Sequence, residues 1–153
     1  MCDGDGMAPD DMVSSDPYDL RRFVDAQESV YRSVVAELRA GRKRSHWIWF
    51  IFPQLRGLGR SATAIRYGIA SRDEAAAYLA HPVLGPRLRE CTRLVAQVDG
   101  RSIEEIFGWP DNLKVRSSMT LFAQATDDNA DFQAVLEKYY GGEPDPATID
   151  ILS

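Results

Sequence analysis

Residues 45–61 read Ser45-His46-Trp47-Ile48-Trp49-Phe50-Ile51-Phe52-Pro53-Gln54-Leu55-Arg56-Gly57-Leu58-Gly59-Arg60-Ser61, and the fold class turns on the apolar run Trp47 to Phe52. A run this short suits either a buried strand or a buried helical turn. Its aromatics and isoleucines favour a strand, but a strand without partners is not stable. No other segment alternates with a period of two, so no partner strand is in sight. The run therefore reads as a short buried helix stopped by Pro53, and the chain as all-α.

Upstream, Asp16-Pro17 has the form of a helix opening, an N-cap followed by proline in the first turn. Leu20, Phe23, Val24, Gln27, Tyr31, Val34, Val35 and Leu38 then recur at three and four residues, which predicts one long amphipathic helix ending at Gly41. Downstream, Ser71-x-x-Glu74 and Ser102-x-x-Glu105 have the spacing of capping boxes. His81-Pro82 separates two helices, and Asp111 and Asn129 are read as caps of two more. The helix after Asp111 is apolar on a wide arc, which predicts a central place for it. Asp145-Pro146 repeats the opening of Asp16-Pro17 and starts a last turn whose Ile149, Ile151 and Leu152 are expected to dock on the body. The architecture predicted is a single multihelical domain of about seven or eight helices, packed helix on helix through short loops.

The 153 residues fit one domain and carry a net charge of −5. Residues 1–16 hold five aspartates and no lysine or arginine, and are expected to be a disordered acidic tail before a helical domain over 17–153. Without that tail the chain has 18 acids against 18 bases. The bases are unevenly placed: Arg39, Arg42, Lys43, Arg44, Arg56, Arg60 and Arg66 fall in a stretch with no acid. A partner of that stretch is expected to be anionic. Cys2 and Cys91 read as free thiols of a reducing compartment. With no secretory leader pattern and no apolar run near membrane length, a soluble cytoplasmic protein is expected.

Three constellations bear on chemistry. The turn Gly57-Leu58-Gly59-Arg60-Ser61, with Arg56 before it, would let a backbone approach an anion, although its plain reading is a tight turn between helices. It lacks the Gly-Lys-Ser/Thr ending of a phosphate-binding loop. His46, beside Trp47 and Trp49, is a candidate acid or base that needs an orienting partner from elsewhere. Asp111, Lys114, Ser117 and Ser118 share one helix face or its neighbour, and a lysine-activated serine is conceivable; routine helix pairing is the plainer account. There is no Cys-x-x-Cys or His-x-x-x-His, so no metal or cofactor is expected. The short Arg42-Lys43-Arg44 run and the neutral body argue against nucleic acid.

Residues 45–54, followed by Gly57-Leu58-Gly59-x-Ser61, resemble a bacterial family of helical domains of unknown function whose members often carry the label calpastatin. The likeness continues through Tyr67, Glu74-Ala75, Tyr78-Leu79, His81-Pro82-x-Leu84-Gly85, Phe107-Gly108, Asp111, Lys114, Ser117-Ser118-Met119-Thr120-Leu121-Phe122, Asp145 and Thr148. It covers residues 17–152 and implies one multihelical domain with no established activity. Nothing resembling an inhibitor repeat supports the label, and Trp109-Pro110 departs from the plain turn expected before Asp111.

Two main readings of function follow. The first is a binding module for a small anionic or nucleotide-like ligand, walled by Trp47, Trp49 and Phe50 and edged by His46, Arg56, Gly57, Gly59, Arg60, Ser61 and Lys114. Its expected focus is Arg56 to Ser61 rather than the tryptophans. The second is a hydrolase or transferase using His46 with Ser117 or Ser118 and Asp111. A protein-partner adaptor is a third possibility, which an exposed apolar patch would support.

Overall fold

A computed structural model describes residues 16–153. The acidic tail expected over residues 1–16 lies outside the described residues, apart from Asp16. The described residues form ten helices and no strand: α1 (Arg21–Glu28), α2 (Tyr31–Arg39), α3 (Ile48–Ile51), α4 (Ala62–Arg66), α5 (Arg72–Ala80), α6 (Leu84–Gln97), α7 (Ile103–Phe107), α8 (Asp111–Ala125), α9 (Ala130–Tyr140) and α10 (Pro146–Leu152). The all-α expectation holds, and the apolar run Trp47–Phe52 is the short buried helix α3 with its two flanking residues. One isolated parallel bridge, Leu55 with Ile69, is the sole strand-like pairing among the described residues.

α8 is central, packing against α3, α5, α7, α9 and α10. Val115, Met119, Leu121 and Phe122 on it are buried, as the wide apolar arc requires. Through the core runs a chain of rings, Phe23 on Tyr78 (5.1 Å between centroids), Tyr78 on Phe122 (5.3 Å) and Phe122 on Phe132 (6.0 Å), which joins α1, α5, α8 and α9. A second cluster of Trp47, Phe52 and Phe107 fixes α3 to α7.

The long helix expected from Asp16-Pro17 is instead two helices. Asp16 accepts from the Leu20 and Arg21 amides at 2.8 and 3.1 Å, and a turn with Asp19 at φ 52° precedes the first helical residue, Arg21. The chain then breaks at Ser29-Val30. Phe23 and Gln27 before the break and Val34 and Leu38 after it are all buried, so the inward stripe runs on through the break. Gln27 is fastened by its amide, which donates to the Phe50 carbonyl (2.7 Å) and to Tyr78 Oη (3.1 Å).

Other terminal signals divide. Ser102 and Glu105 form a complete capping box. Ser71 caps α5, but Glu74 accepts from the Ala70 amide and from Arg22 instead of completing the box. Arg22 is buried and directs its five N–H donors at the carbonyls of Tyr18, Asp19, Arg66 and Gly68 and at Glu74, 2.9 Å away. Asp111 is the first residue of α8 and makes no cap bond, and Asn129 donates to the Ala123 carbonyl rather than capping α9. In α10 Thr148 is fully buried, whereas Ile151 stands 48% exposed. Of the apolar residues expected to dock, Leu152 packs against the core and Ile149 is half-buried, so Ile151 alone turns outward, and Thr148 adds a polar anchor.

Candidate functional site

α3 sets two tryptophans to two tasks. Positions two apart on a helix point to nearly opposite sides. Trp47 is buried, and Trp49 lies at the rim, half-buried. The approach to α3 is held by Glu37, which accepts from the Arg44 amide (2.7 Å), the Ser45 amide (3.1 Å), Ser45 Oγ (2.7 Å) and the Trp47 indole (2.9 Å). Burial pushes the Glu37 carboxyl up, but these hydrogen bonds outweigh it and hold the group below its ordinary range.

A cleft of about 250 Å3 opens beside Trp49. One wall is Gln54, Leu58 and Gly59; the other is Pro110, Leu113, Lys114 and Ser117 from the start of α8, with Asp145 and Ala147 at the start of α10. The Lys114 ammonium stands 3.9 Å from the centre of the Trp49 ring and 3.2 Å from Asp111 Oδ1. The second oxygen of Asp111 meets Lys43 Nζ at 3.0 Å, and Lys43 in turn lies over Trp47, 5.2 Å from the ring centre.

On the same helix face, Ser117 Oγ is 3.1 Å from Asp145 Oδ2 and 3.2 Å from the Leu113 carbonyl, so one proton serves two acceptors. Asp145 Oδ2 also accepts from Thr148 Oγ1 (2.6 Å) and the Thr148 amide (3.2 Å), and the Asp145 amide donates to Thr120 Oγ1 (2.8 Å). These bonds lock α10 to α8 and fix the carboxylate at the cleft wall.

Of the residues singled out in the sequence, the cleft brings together Trp49, Gly59, Lys114 and Ser117, with Asp111 behind Lys114. His46 is exposed and does not line it. Arg56 donates to the Gly68 carbonyl (3.2 Å) and borders a separate groove of about 710 Å3 with Arg22, Arg66 and Glu74. Gly57, at φ 104°, and Arg60 are exposed loop residues, and Ser61 caps α4 by accepting from the Ala64 amide. Trp47 and Phe50 face other rings, Phe50 lying 5.5 Å from Tyr67. Ser118 is fully buried, and its Oγ has no hydrogen-bond partner among the described residues. The sequence does not mark Gln54, Lys43 or Asp145 as site residues: Lys43 stands out only in the acid-free basic stretch, Gln54 in the family likeness, and Asp145 in that likeness and in a helix-opening signal.

The cleft therefore offers an aromatic face, an ammonium, a carboxylate, a hydroxyl and an amide around apolar walls. Its serine faces a carboxylate, and neither histidine lines it. Among the described residues no group of three His, Cys, Asp or Glu side chains could hold a metal ion, and no helix is long and apolar enough to cross a membrane.

A family model described as a protein of unknown function, DUF1810, matches residues 17–152. The fold is similar to the crystal structure of the conserved hypothetical protein Rv1873 from Mycobacterium tuberculosis, with 70% sequence identity, a TM-score of 0.89, and coverage of 90% of this chain and 98% of that one. No curated protein matches.

Proposed function

The chain belongs to the family of unknown function DUF1810, and from that premise we propose that it is a binding module for a small anionic ligand held at Lys114, where that side chain crosses Trp49. The observation that carries this reading is the sharing of Asp111 by two lysines. The trio has one positive charge in excess. The Lys43 side chain is only 8% exposed, so the charge open to a ligand is that of Lys114, at the cleft. Trp49 lies under that ammonium, its ring face holding it in place at the cleft. At about 250 Å3 the cleft falls below the roughly 300–1,000 Å3 usual for drug-sized ligands, which favours a small metabolite over a whole nucleotide.

The test is a thermal-shift screen of small carboxylates, phosphates and nucleotides. Small anions should raise the unfolding midpoint of the unaltered chain. Lys114→Met should abolish the shift, Trp49→Leu should weaken it, and Arg56→Ala and His46→Ala should leave it intact. A screen with no stabilising anion, or a shift that survives Lys114→Met, defeats the reading.

A second reading, a protein-partner adaptor, has one observation behind it. Leu113 (48% exposed) lines the cleft, Trp109 (77%) precedes its Pro110, and Ile151 (48%) lies beside the Gly57 turn, so exposed apolar residues stand in and next to the cleft. The enzymatic reading through His46 with Ser117 or Ser118 has no comparable support, since His46 does not line the cleft and neither serine bonds to it.

A further inference from the structure

The cleft carries two fixed charges of opposite sign, and only one of them has been used so far. Lys114 and Ser117 are three apart on α8 and so share a face, and Ser117 Oγ lies 3.1 Å from Asp145. Asp145 thus stands beside the lysine within one small space. Its two oxygens are not equivalent. Oδ2 takes the bonds from Ser117 and Thr148, whereas Oδ1 accepts none from the described residues and is not among the sealed, partnerless atoms.

A carboxylate oxygen can only accept, so whatever faces Oδ1 must donate. In a cleft with apolar walls, a charged donor answers the carboxylate better than a neutral one, because charge-assisted hydrogen bonds are the stronger kind. On the other side, Lys114 calls for an acceptor that is itself anionic. We propose that the ligand is a zwitterion, a free α-amino acid with an apolar side chain. Its carboxylate pairs with Lys114, its ammonium pairs with Asp145 Oδ1, and its side chain lies against Trp49, Leu58 and Leu113. The proposal rests on the anion-binding reading and narrows it.

Calorimetric titration of the unaltered chain with three probes separates the two ideas. The probes are L-leucine, 4-methylpentanoate (the same skeleton without the amine) and 3-methylbutylamine (without the carboxylate), with the other proteinogenic amino acids run as a panel. At least one apolar amino acid should bind, and both truncated analogues should bind about tenfold more weakly or worse, equivalent to about 1.4 kcal/mol for each lost pair. Asp145→Asn, which keeps an oxygen to cap α10, should erase the advantage of the amino acid over its deaminated analogue. Lys114→Met should erase its advantage over the amine. If the deaminated analogue binds as tightly as the amino acid, or if only other small anions bind, the zwitterion proposal falls while the anion reading stands. If no anion of any kind binds, both fall.

Discussion

Lys43 and Lys114 grip opposite oxygens of the Asp111 carboxylate, at 3.0 and 3.2 Å, and each ammonium lies over one tryptophan of the segment 47–49. A carboxylate shared in this way fastens the loop before α3 to the first turn of α8. It also decides where the surplus charge is felt.

Removing the shared group should be costly. Asp111→Ala leaves Lys43, whose side chain is 8% exposed, without a counter-charge. Breaking a buried pair from one side costs about 3 kcal/mol or more, and urea unfolding should show it. The double variant Asp111→Ala/Lys43→Met should regain much of that stability, since no buried charge is then stranded. A single-variant loss under about 1 kcal/mol would class the contact with surface pairs instead.

Gly85, in the first turn of α6, should not tolerate even a methyl group. A Cβ there would stand 2.1 Å from the Leu79 carbonyl oxygen, a backbone atom that cannot rotate away. Gly85→Ala must therefore push α5 and α6 apart, at about 2 kcal/mol or more. Calorimetry should find Tm lowered by about 5 °C or more, and an unchanged Tm would contradict this packing.

Acid should loosen the anchor of α3 in a defined direction. Burial raises the Glu37 carboxyl, but the bonds from Ser45, Arg44 and Trp47 lower it further, so its folded value lies below its unfolded one. A group depressed in this way stabilises the fold above the unfolded pKa and loses its contribution as pH falls through the folded one. Urea stability measured from about pH 6 down to pH 3 should decline less steeply in Glu37→Gln than in the parent. Parallel curves would exclude Glu37 as a source of acid sensitivity.

Cys91 should be chemically silent in the folded chain. Burial is the main cause pushing its thiol up to about 12, against a smaller downward pull from its hydrogen bond to Tyr31. At about pH 8 almost no thiolate exists to attack. Peptide mapping after iodoacetamide should recover Cys91 unlabelled from native protein and labelled after denaturation in urea. Labelling at equal rates in both states would show that the site opens.

The fold was legible wherever the signal was local. The Ser102–Glu105 box closes over three residues, and α3 could be told from a strand because no second strand existed for it to join. The break at Ser29-Val30 was hidden because the buried stripe runs through it unchanged, while its fastening by Gln27 to Phe50 and Tyr78 is long-range. The candidate site was legible in its types more than in its members. The acid-free stretch 39–66 looked uniformly available, yet Lys43 is tied to Asp111 and Arg56 to a carbonyl. No spacing rule foretells those contacts. Asp145 was equally opaque: its capping role is local, but its approach to Ser117 depends on how α10 lies on α8.

The single bridge between Leu55 and Ile69 closes the stem of the loop between them, with the Arg56 amide donating to Ile69 and the Ile69 amide to Gln54 at 2.7 and 2.9 Å. Within that loop Leu58 and Gly59 form the near wall of the cleft, while Tyr67 meets Phe23 and Phe50 at 5.8 and 5.5 Å between ring centroids and ties the end of the loop into the core. The far wall, Lys114 and Ser117, is part of the central helix. The near wall is thus pinned at both ends, by the bridge on one side and by Tyr67 on the other, and a change in its length must be absorbed within residues 56–66.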